Sequence, residues 1–171
     1  MMGGDFAPLE AIKGIEIYLQ NKNPGTTLLL IGDEPAIKQL LDRHNIPTED
    51  LSIIHASQII EMHEHPTKAL KEKKHSSIAI GFHLLATDKA DAFISAGNTG
   101  AMMVGALFSI KAIEGVLRPT IGAYLPREDG ELGLLVDVGL NADCKPENLS
   151  QFALLGSLLA KHILIFYNPR V

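Results

Sequence analysis

The chain has 171 residues, of which 46% are hydrophobic and 20% are charged, the balance of an ordinary globular protein with a substantial core. Its formal net charge of -5 and its aromatic content of only 5%, without any Trp, argue against broad binding to DNA or RNA. The single cysteine, Cys144, excludes an internal disulfide and is typical of a reducing cytoplasm.

The first two thirds of the chain alternate predicted helices and strands. A glycine turn at "MGGDFAP", in which Asp5 is a candidate helix cap, precedes a helix that should end near "NKNPG". "TTLLLIG" predicts a buried parallel strand, "DEPAIKQLLDRH" the returning helix, and "LSIIHA" a second strand. The run "TKALKEKKHSSIAIGFHLLATDK" predicts helix with a break near Ser76 and Ser77. "ADAFISAG" then predicts a third strand, and "TGAMMVGALFSIKAIE" the helix that follows it.

The last third of the chain predicts a β-hairpin followed by one helix. "PTIGAYLP" and "GELGLLVDVG" predict two strands joined by a hairpin at "REDG". "PENLSQFALLGSLLAKHIL" predicts a final helix with Pro146 in its first turn, and "RV" could open one more strand. We therefore expect an α/β fold, a three-layer αβα sandwich on a mixed, mostly parallel sheet, with residues 1–171 in a single domain. Both ends of the chain look cut, so we expect a partial chain.

Location is predicted from the two ends of the chain. "MMGGDFAPLE" has neither a basic start nor an apolar stretch, so we expect no secretory signal. The apolar run "FALLGSLLAKHILIFY" is interrupted by Lys161 and His162 and is too short to span a bilayer. These features predict a cytoplasmic protein and leave contact with a membrane surface open.

A first polar glycine loop, "SAGNTG", joins the third predicted strand to a helix. A tight turn explains it simply, because Gly adopts positive φ at little cost and Asn or Thr caps helices. An anion cradle also explains it, because a helix N-terminus offers unpaired N–H groups and a partial positive charge. The candidate phosphate-binding residues are Ser95, Gly97, Asn98, Thr99 and Gly100.

A second polar glycine loop, "DVGLNADCKP", follows a predicted strand and precedes the final helix. Ligands of α/β sheets bind at the C-terminal ends of strands, so two such loops favour a shared site over coincidence. The loop contains Asn141 and Lys145, and Lys145 beside a helix N-terminus has a charge suited to holding phosphate. A nucleophilic role for Cys144 is conceivable, but no paired base is readable, so we interpret it as a packed structural thiol.

Two further clusters have simpler readings. His63, Glu64 and His65 in "EMHEHP" match no strong zinc spacing, and we expect no metal site. The basic run contains Lys68, Lys71, Lys73 and Lys74. A solvated helix face, with Lys68, Lys71 and His75 together, is the ordinary interpretation, although a local basic patch is also where an acidic partner docks.

Five segments in this order and spacing resemble one family: "MGGDFAP", "EHPTKALKEKKHSS", "ADAFISAGNTGAMM", "RPTIGAYLP" and "LLVDVGLNADCKPENLSQFALLGS". They closely resemble the bacterial phosphate acyltransferases known as PlsX, from Met2 to Val171. The resemblance implies a fold similar to that of phosphate acetyltransferases and isocitrate and isopropylmalate dehydrogenases. It also implies that acyl-ACP (ACP, acyl carrier protein) reacts with inorganic phosphate to give acyl-phosphate and free ACP. The enzyme would be a homodimer that needs no organic cofactor and can associate with membrane.

The resemblance also extends the list of candidate residues. Gly3, Gly4 and Asp5 would form a third wall of the site, and Asn98 would join Asn141 and Lys145 in catalysis. Lys68, Lys71, Lys73 and Lys74 would help to dock ACP. Family members are about twice as long and begin with a strand before "MGGD", so we expect this chain to be an N-terminal half.

Three other functions stay open at this point. One is a short-chain phosphate acetyl- or butyryltransferase using acyl-CoA, for which no nucleotide pocket is readable. Another is a nicotinamide-dependent decarboxylating dehydrogenase, which would need an acidic metal cluster and an adenine-binding segment. The third is a non-catalytic acyl-ACP-binding module.

Overall fold

A computed structural model of the chain describes residues 1–166 and 168–170. They form two compact units, a first unit of Met1–Lys111 and a second unit of Ala112–Val171. The first unit contains α1 (Leu9–Gln20), β1 (Leu28–Gly32), α2 (Glu34–Arg43), β2 (Leu51–His55), α3 (Pro66–Glu72), α4 (Ser77–Ala86) and α5 (Thr99–Ser109). The second unit contains β3 (Gly122–Pro126), β4 (Leu132–Val136) and α6 (Pro146–His162).

The first unit is built around one parallel strand pair and two apolar clusters. β1 pairs with β2 in register, from Leu28 opposite Leu51 to Gly32 opposite His55. The first cluster lies against this pair and contains Ile12, Leu30, Ile37, Leu41 and Ile46. The second contains Ile60, Ala69, Ile78, Phe82 and Ala101, and it joins α3, α4 and α5. This second cluster positions the start of α5.

Three helices of the first unit, α2, α4 and α5, begin with a short polar cap. The side chains of Asp33, Ser76 and Asn98 accept hydrogen bonds from the N–H groups three residues later, as N-cap residues do. Ser76 also explains the predicted break between α3 and α4, because its cap opens a new helix. The break is confirmed.

The second unit is a hairpin with one helix. β3 and β4 pair antiparallel, and the turn between them is closed by Arg127 N–H donating to the Glu131 carbonyl at 2.9 Å. Gly130 supplies the positive φ of 81° in that turn. α6 begins at Pro146 and buries Phe152 and Ala160. Both the hairpin and the final helix are as predicted.

Four sequence expectations are wrong. Residues 90–97 form no strand, because among the described residues no neighbouring strand pairs with them. α5 ends at Ser109, before "IKAIE". α1 takes Pro8 as its N-cap, so Asp5 caps nothing. His75 lies beyond the end of α3 and shares no helical face with Lys68 and Lys71.

The α/β class is confirmed, but the described strands form two separate two-stranded sheets. Val171 of the predicted last strand lies outside the described residues. Across the helices that the structure describes, none combines the length and apolarity needed to cross a membrane.

Candidate functional site

Asn98 connects the start of α5 to the loop that precedes α3. Its Nδ2 donates to the carbonyls of Glu61 at 3.0 Å and Met62 at 3.1 Å, with a longer contact of 3.4 Å to that of Glu64. Its Oδ1 accepts the Ala101 N–H at 3.1 Å. The side chain is only 6% exposed, and its amide is fully occupied. Asn98 therefore holds the loop and the helix start together.

The first turn of α5 leaves two amides available. The Ala101 N–H is capped by Asn98 and the Met102 N–H donates to the Asn98 carbonyl, whereas the Thr99 and Gly100 N–H groups have no acceptor among the described residues. The first turn contains no acidic residue, so the partial positive charge of the helix end is not neutralised there. Thr99 is exposed. This helix end can accept an anion.

Glycine is required around this helix end by close packing. A Cβ on Gly3 would lie 2.6 Å from the Gly97 carbonyl oxygen, and one on Gly97, whose φ is +111°, would lie 2.9 Å from Met62 Cε. A Cβ on Gly100 would lie 2.5 Å from Pro66 Cγ. The structure thus brings the N-terminal glycine turn against the "SAGNTG" loop. Gly4 follows this contact and is exposed.

The remaining first-unit candidates have clear positions. Ser95 accepts the Gly97 N–H at 3.2 Å through its Oγ, and so closes the turn before Asn98. Asp5 is exposed. Sequence reasoning placed Ser95 among the phosphate-binding residues and Asp5 in a wall of the site, and their positions leave both expectations untested.

An ion pair that the sequence did not predict fixes the loop around Asn98. Lys73 Nζ contacts Glu64 Oε1 and donates to the Ile59 carbonyl at 2.6 Å. The hydrogen bond from Lys73, followed by that from the Glu61 N–H, holds the pKa of Glu64 below its ordinary value of 4.5. Spacing alone could not reveal this pair, because the two residues meet only when the loop folds back on the end of α3.

Asp137 organises the polar loop of the second unit. Its Oδ1 accepts from Thr120 Oγ1 at 3.0 Å and the Ile121 N–H at 2.9 Å. Its Oδ2 accepts the Asn141 N–H at 2.7 Å and the Leu140 N–H at 3.0 Å. Burial disfavours the charged carboxylate, but these hydrogen bonds outweigh it and hold the pKa of Asp137 below its ordinary value of 3.8.

Asn141 and Lys145 occupy different positions in that loop. Asn141 Nδ2 donates to the Pro119 carbonyl at 3.0 Å and to Asp137 Oδ2 at 3.2 Å. Lys145 is exposed at the start of α6, where its N–H donates to Asn148 Oδ1 at 3.0 Å. Lys145 is therefore the freer of the two to contact a ligand.

Two other groups border the same loop. The Cys144 thiol is half-buried and its Sγ lies 3.9 Å from the Asn141 carbonyl oxygen. The guanidinium of Arg118 donates to the Asp143 carbonyl at 2.8 Å. Sequence reasoning did not single out Arg118, and its position in "RPT" beside a strand was the available signal.

The four lysines of the basic run differ in the structure. Lys68, Lys71 and Lys74 are exposed, whereas Lys73 is half-buried in the ion pair with Glu64. Within the described ranges no three His, Cys, Asp or Glu side chains cluster as metal ligands do.

Comparison with known proteins places this geometry in context. The whole chain, residues 1–171, matches the family described as fatty acid synthesis protein. It is 45% identical over 170 residues to a phosphate acyltransferase of Acetivibrio thermocellus, covering 99% of this chain and 50% of that protein. The proteins of the same name from Halothermothrix orenii and Chlorobaculum tepidum are 46% and 44% identical, with 99% of this chain and 50% and 51% of theirs covered. The chain spans about half the length of the curated relatives it matches.

Proposed function

The chain belongs to the fatty acid synthesis protein family, and we propose that it forms part of a phosphate acyltransferase that converts acyl-ACP and inorganic phosphate to acyl-phosphate and free ACP. Its similarity to phosphate acyltransferases supports this activity. The observation that carries the proposal is the start of α5, where the Thr99 and Gly100 amides have no acceptor among the described residues and the first helical turn contains no acidic residue. A dianionic phosphate suits such an end.

The proposed reaction is a direct transfer. A phosphate oxygen attacks the thioester carbonyl carbon, the new C–O bond forms, and the C–S bond breaks to release the thiol of the carrier as a thiolate. Inorganic phosphate is already an anionic nucleophile at neutral pH. Positioning and stabilisation of the developing oxyanion therefore contribute more than a strong base would.

In this mechanism the Thr99 and Gly100 amides and the Thr99 hydroxyl bind phosphate. Asn98 acts as a positioning residue, because its side-chain amide already hydrogen-bonds to the loop carbonyls and to the Ala101 N–H. Ser95 and Gly97 shape the turn.

The remaining candidates complete the site in this proposal. Gly3, Gly4 and Asp5 form a wall, which the packing of Gly3 on Gly97 supports. Lys145, with Asn141 holding its loop, orients phosphate or steadies the oxyanion. Both units then belong to one domain, a three-layer αβα sandwich like that of phosphate acetyltransferases and isocitrate dehydrogenases.

The wider assignments are also proposals. We propose a cytoplasmic homodimer that needs no organic cofactor and associates peripherally with membrane, on the strength of the family resemblance. Exposed Lys68, Lys71 and Lys74 support docking of the acidic ACP. The internal contacts of Lys73 make it structural.

A panel of acyl donors tests the function. The full-length protein is incubated with phosphate and, separately, acyl-ACP, long-chain acyl-CoA, acetyl-CoA and butyryl-CoA, and acyl-phosphate is trapped as the hydroxamate. We expect product from acyl-ACP at the highest kcat/KM. Preference for acetyl- or butyryl-CoA would identify a short-chain enzyme instead, and ACP binding without product would identify a binding module.

A further inference from the structure

The loop of residues 59–64 contains neither helix nor strand, and Lys73 at the end of α3 holds it in shape. Lys73 Nζ donates to the Ile59 carbonyl at 2.6 Å and contacts Glu64 Oε1, so it joins the two ends of the loop. The same carboxylate oxygen accepts the Glu61 N–H at 3.0 Å. The paired side chains are only 30% and 22% exposed, so water and salt screen this charged contact less than they screen a surface ion pair.

The other hydrogen bonds of this loop lead to the start of α5. Asn98 Nδ2 donates to the carbonyls of Glu61 and Met62 at 3.0 and 3.1 Å, while its Oδ1 caps the Ala101 N–H. Asn98 is only 6% exposed, so its amide has to keep protein acceptors or lose hydrogen-bond energy. If the two carbonyls move, the side chain moves with them and the cap is disturbed. The position of the loop is thereby transmitted to the first turn of α5.

Close packing links the same loop to the backbone around Asn98. Met62 Cε lies so near Gly97 that a Cβ there would approach it to 2.9 Å. Pro66, the first residue of α3, packs on Gly100 with its Cγ 2.5 Å from the place of a Cβ. The two ends of α3 therefore act on one structure, since Pro66 contacts the start of α5 directly and Lys73 holds the loop that contacts it.

We propose that the Glu64–Lys73 ion pair positions the phosphate-binding amides of α5 through Asn98. The role of those amides, Thr99 and Gly100, rests on the proposed function. Neither member of the pair touches substrate in this scheme, and the charge of Lys73 acts inside the protein rather than on a partner. Loss of the pair should therefore weaken the binding of phosphate and leave the binding of the acyl donor unchanged.

Substitutions of Lys73 in the full-length enzyme test this role. Lys73→Met removes the cation and keeps an aliphatic stem, and it should raise the KM for phosphate about fivefold or more, while kcat and the KM for acyl-ACP change by less than about twofold. Lys73→Arg keeps the charge and the donors and should recover most of the loss. The matched control is Lys38→Met, which removes an exposed ion pair with Glu34 on α2 and should leave all three constants unchanged.

A second substitution distinguishes positioning from a general loss of stability. Glu64→Gln removes the charge but keeps an oxygen for the Glu61 N–H, and it should also raise the phosphate KM. The double variant with Lys73→Met should be no worse than Lys73→Met alone, because both residues act through one contact. Additive losses, or an arginine variant no better than the methionine variant, would overturn the proposal. A lower melting temperature and kcat with an unchanged phosphate KM would show a merely structural pair and would also overturn it.

Phosphate binding without turnover separates failure of this proposal from failure of the proposed function. In amide NMR of the full-length protein, Lys73→Met should shift the Thr99 and Gly100 resonances before phosphate is added and raise the Kd for inorganic phosphate about fivefold or more. Equal binding by wild type and variant at these amides would overturn the positioning role and leave the proposed function standing. Absence of binding there in wild type would overturn both. A raised KM for acyl-ACP alone would assign Lys73 to docking and contradict the proposal.

Discussion

The side chain of Asn98 makes hydrogen bonds in two directions, to the carbonyls of Glu61 and Met62 and to the Ala101 N–H. Replacing it removes the helix cap and releases the loop at the same time. The first prediction is therefore that Asn98→Leu raises the KM for phosphate at least tenfold, which corresponds to a loss of about 1.4 kcal/mol.

Thr99→Val is the matched control for Asn98, since it removes only an exposed hydroxyl and leaves the cap intact. It should raise the phosphate KM without lowering the melting temperature, whereas Asn98→Leu should change both. An unchanged phosphate KM and turnover in both variants would reject the phosphate cradle.

Asp137 predicts a specific dependence of stability on pH. Its pKa in the folded protein lies below the ordinary 3.8, so its stabilising effect is complete above that value and is lost as the pH falls through the lower folded pKa. In Asp137→Asn an NH₂ group replaces the oxygen that accepts the N–H groups of Leu140 and Asn141, so donor faces donor. We expect a loss of about 1 kcal/mol at pH 7.

Urea unfolding of wild type and Asp137→Asn at several pH values measures this effect. The gap in unfolding free energy should shrink as the pH falls below about 4, because protonation removes the wild-type advantage. A gap that stays constant down to pH 2 would show that the carboxylate does not hold the loop through its charge.

Cys144 is predicted to be dispensable for chemistry. Its thiol is half-buried beside the Asn141 carbonyl, and direct attack by phosphate needs no acyl-enzyme. Cys144→Ala should therefore keep most of the wild-type kcat. Mass spectrometry of the protein quenched during turnover provides the decisive check, and an acyl group on Cys144 would establish a covalent mechanism instead.

At the scale of elements, the helix break at Ser76, the start of α5 and the hairpin were predictable because their signals are local, although the cap expected at Asp5 was wrong. Asn98, Ser76 and the "REDG" turn each act on residues within four positions. The strand expected at 90–97 was wrong because a strand also needs a neighbour, which local sequence does not specify. There, Ile94 is 93% exposed, and Phe93 packs on Phe82 instead.

Glycines in two helices give opposite predictions for the same substitution. Gly14→Ala on α1 should stabilise the protein by about 0.5–1 kcal/mol, since nothing lies within 4 Å of the added Cβ. Gly105→Ala on α5 should destabilise it despite the same gain in helix propensity, because the Cβ meets the Phe82 ring. Thermal unfolding of the two single variants compares them directly. Equal stabilisation would show that α5 and Phe82 are not packed together as described.

At the scale of the whole molecule, the sequence predicted the α/β class, but it did not predict which distant segments contact each other. The Glu64–Lys73 ion pair and the Asp137 loop both depend on segments that meet only after folding. The single three-layer domain is still a prediction, and the relatives are about twice as long as this chain. A crystal structure of the full-length protein would test whether the loops 95–100 and 139–146 are neighbours.

The central claim is that the start of α5 binds the phosphate used in acyl transfer. Titration of the ¹⁵N-labelled full-length protein with inorganic phosphate, followed by amide NMR shifts, tests it most directly. We predict saturable shifts of the Thr99 and Gly100 resonances, with little change at Glu34, which starts α2 behind the acidic cap Asp33. Unshifted Thr99 and Gly100 resonances at saturating phosphate, or equal shifts at Glu34, would contradict the claim.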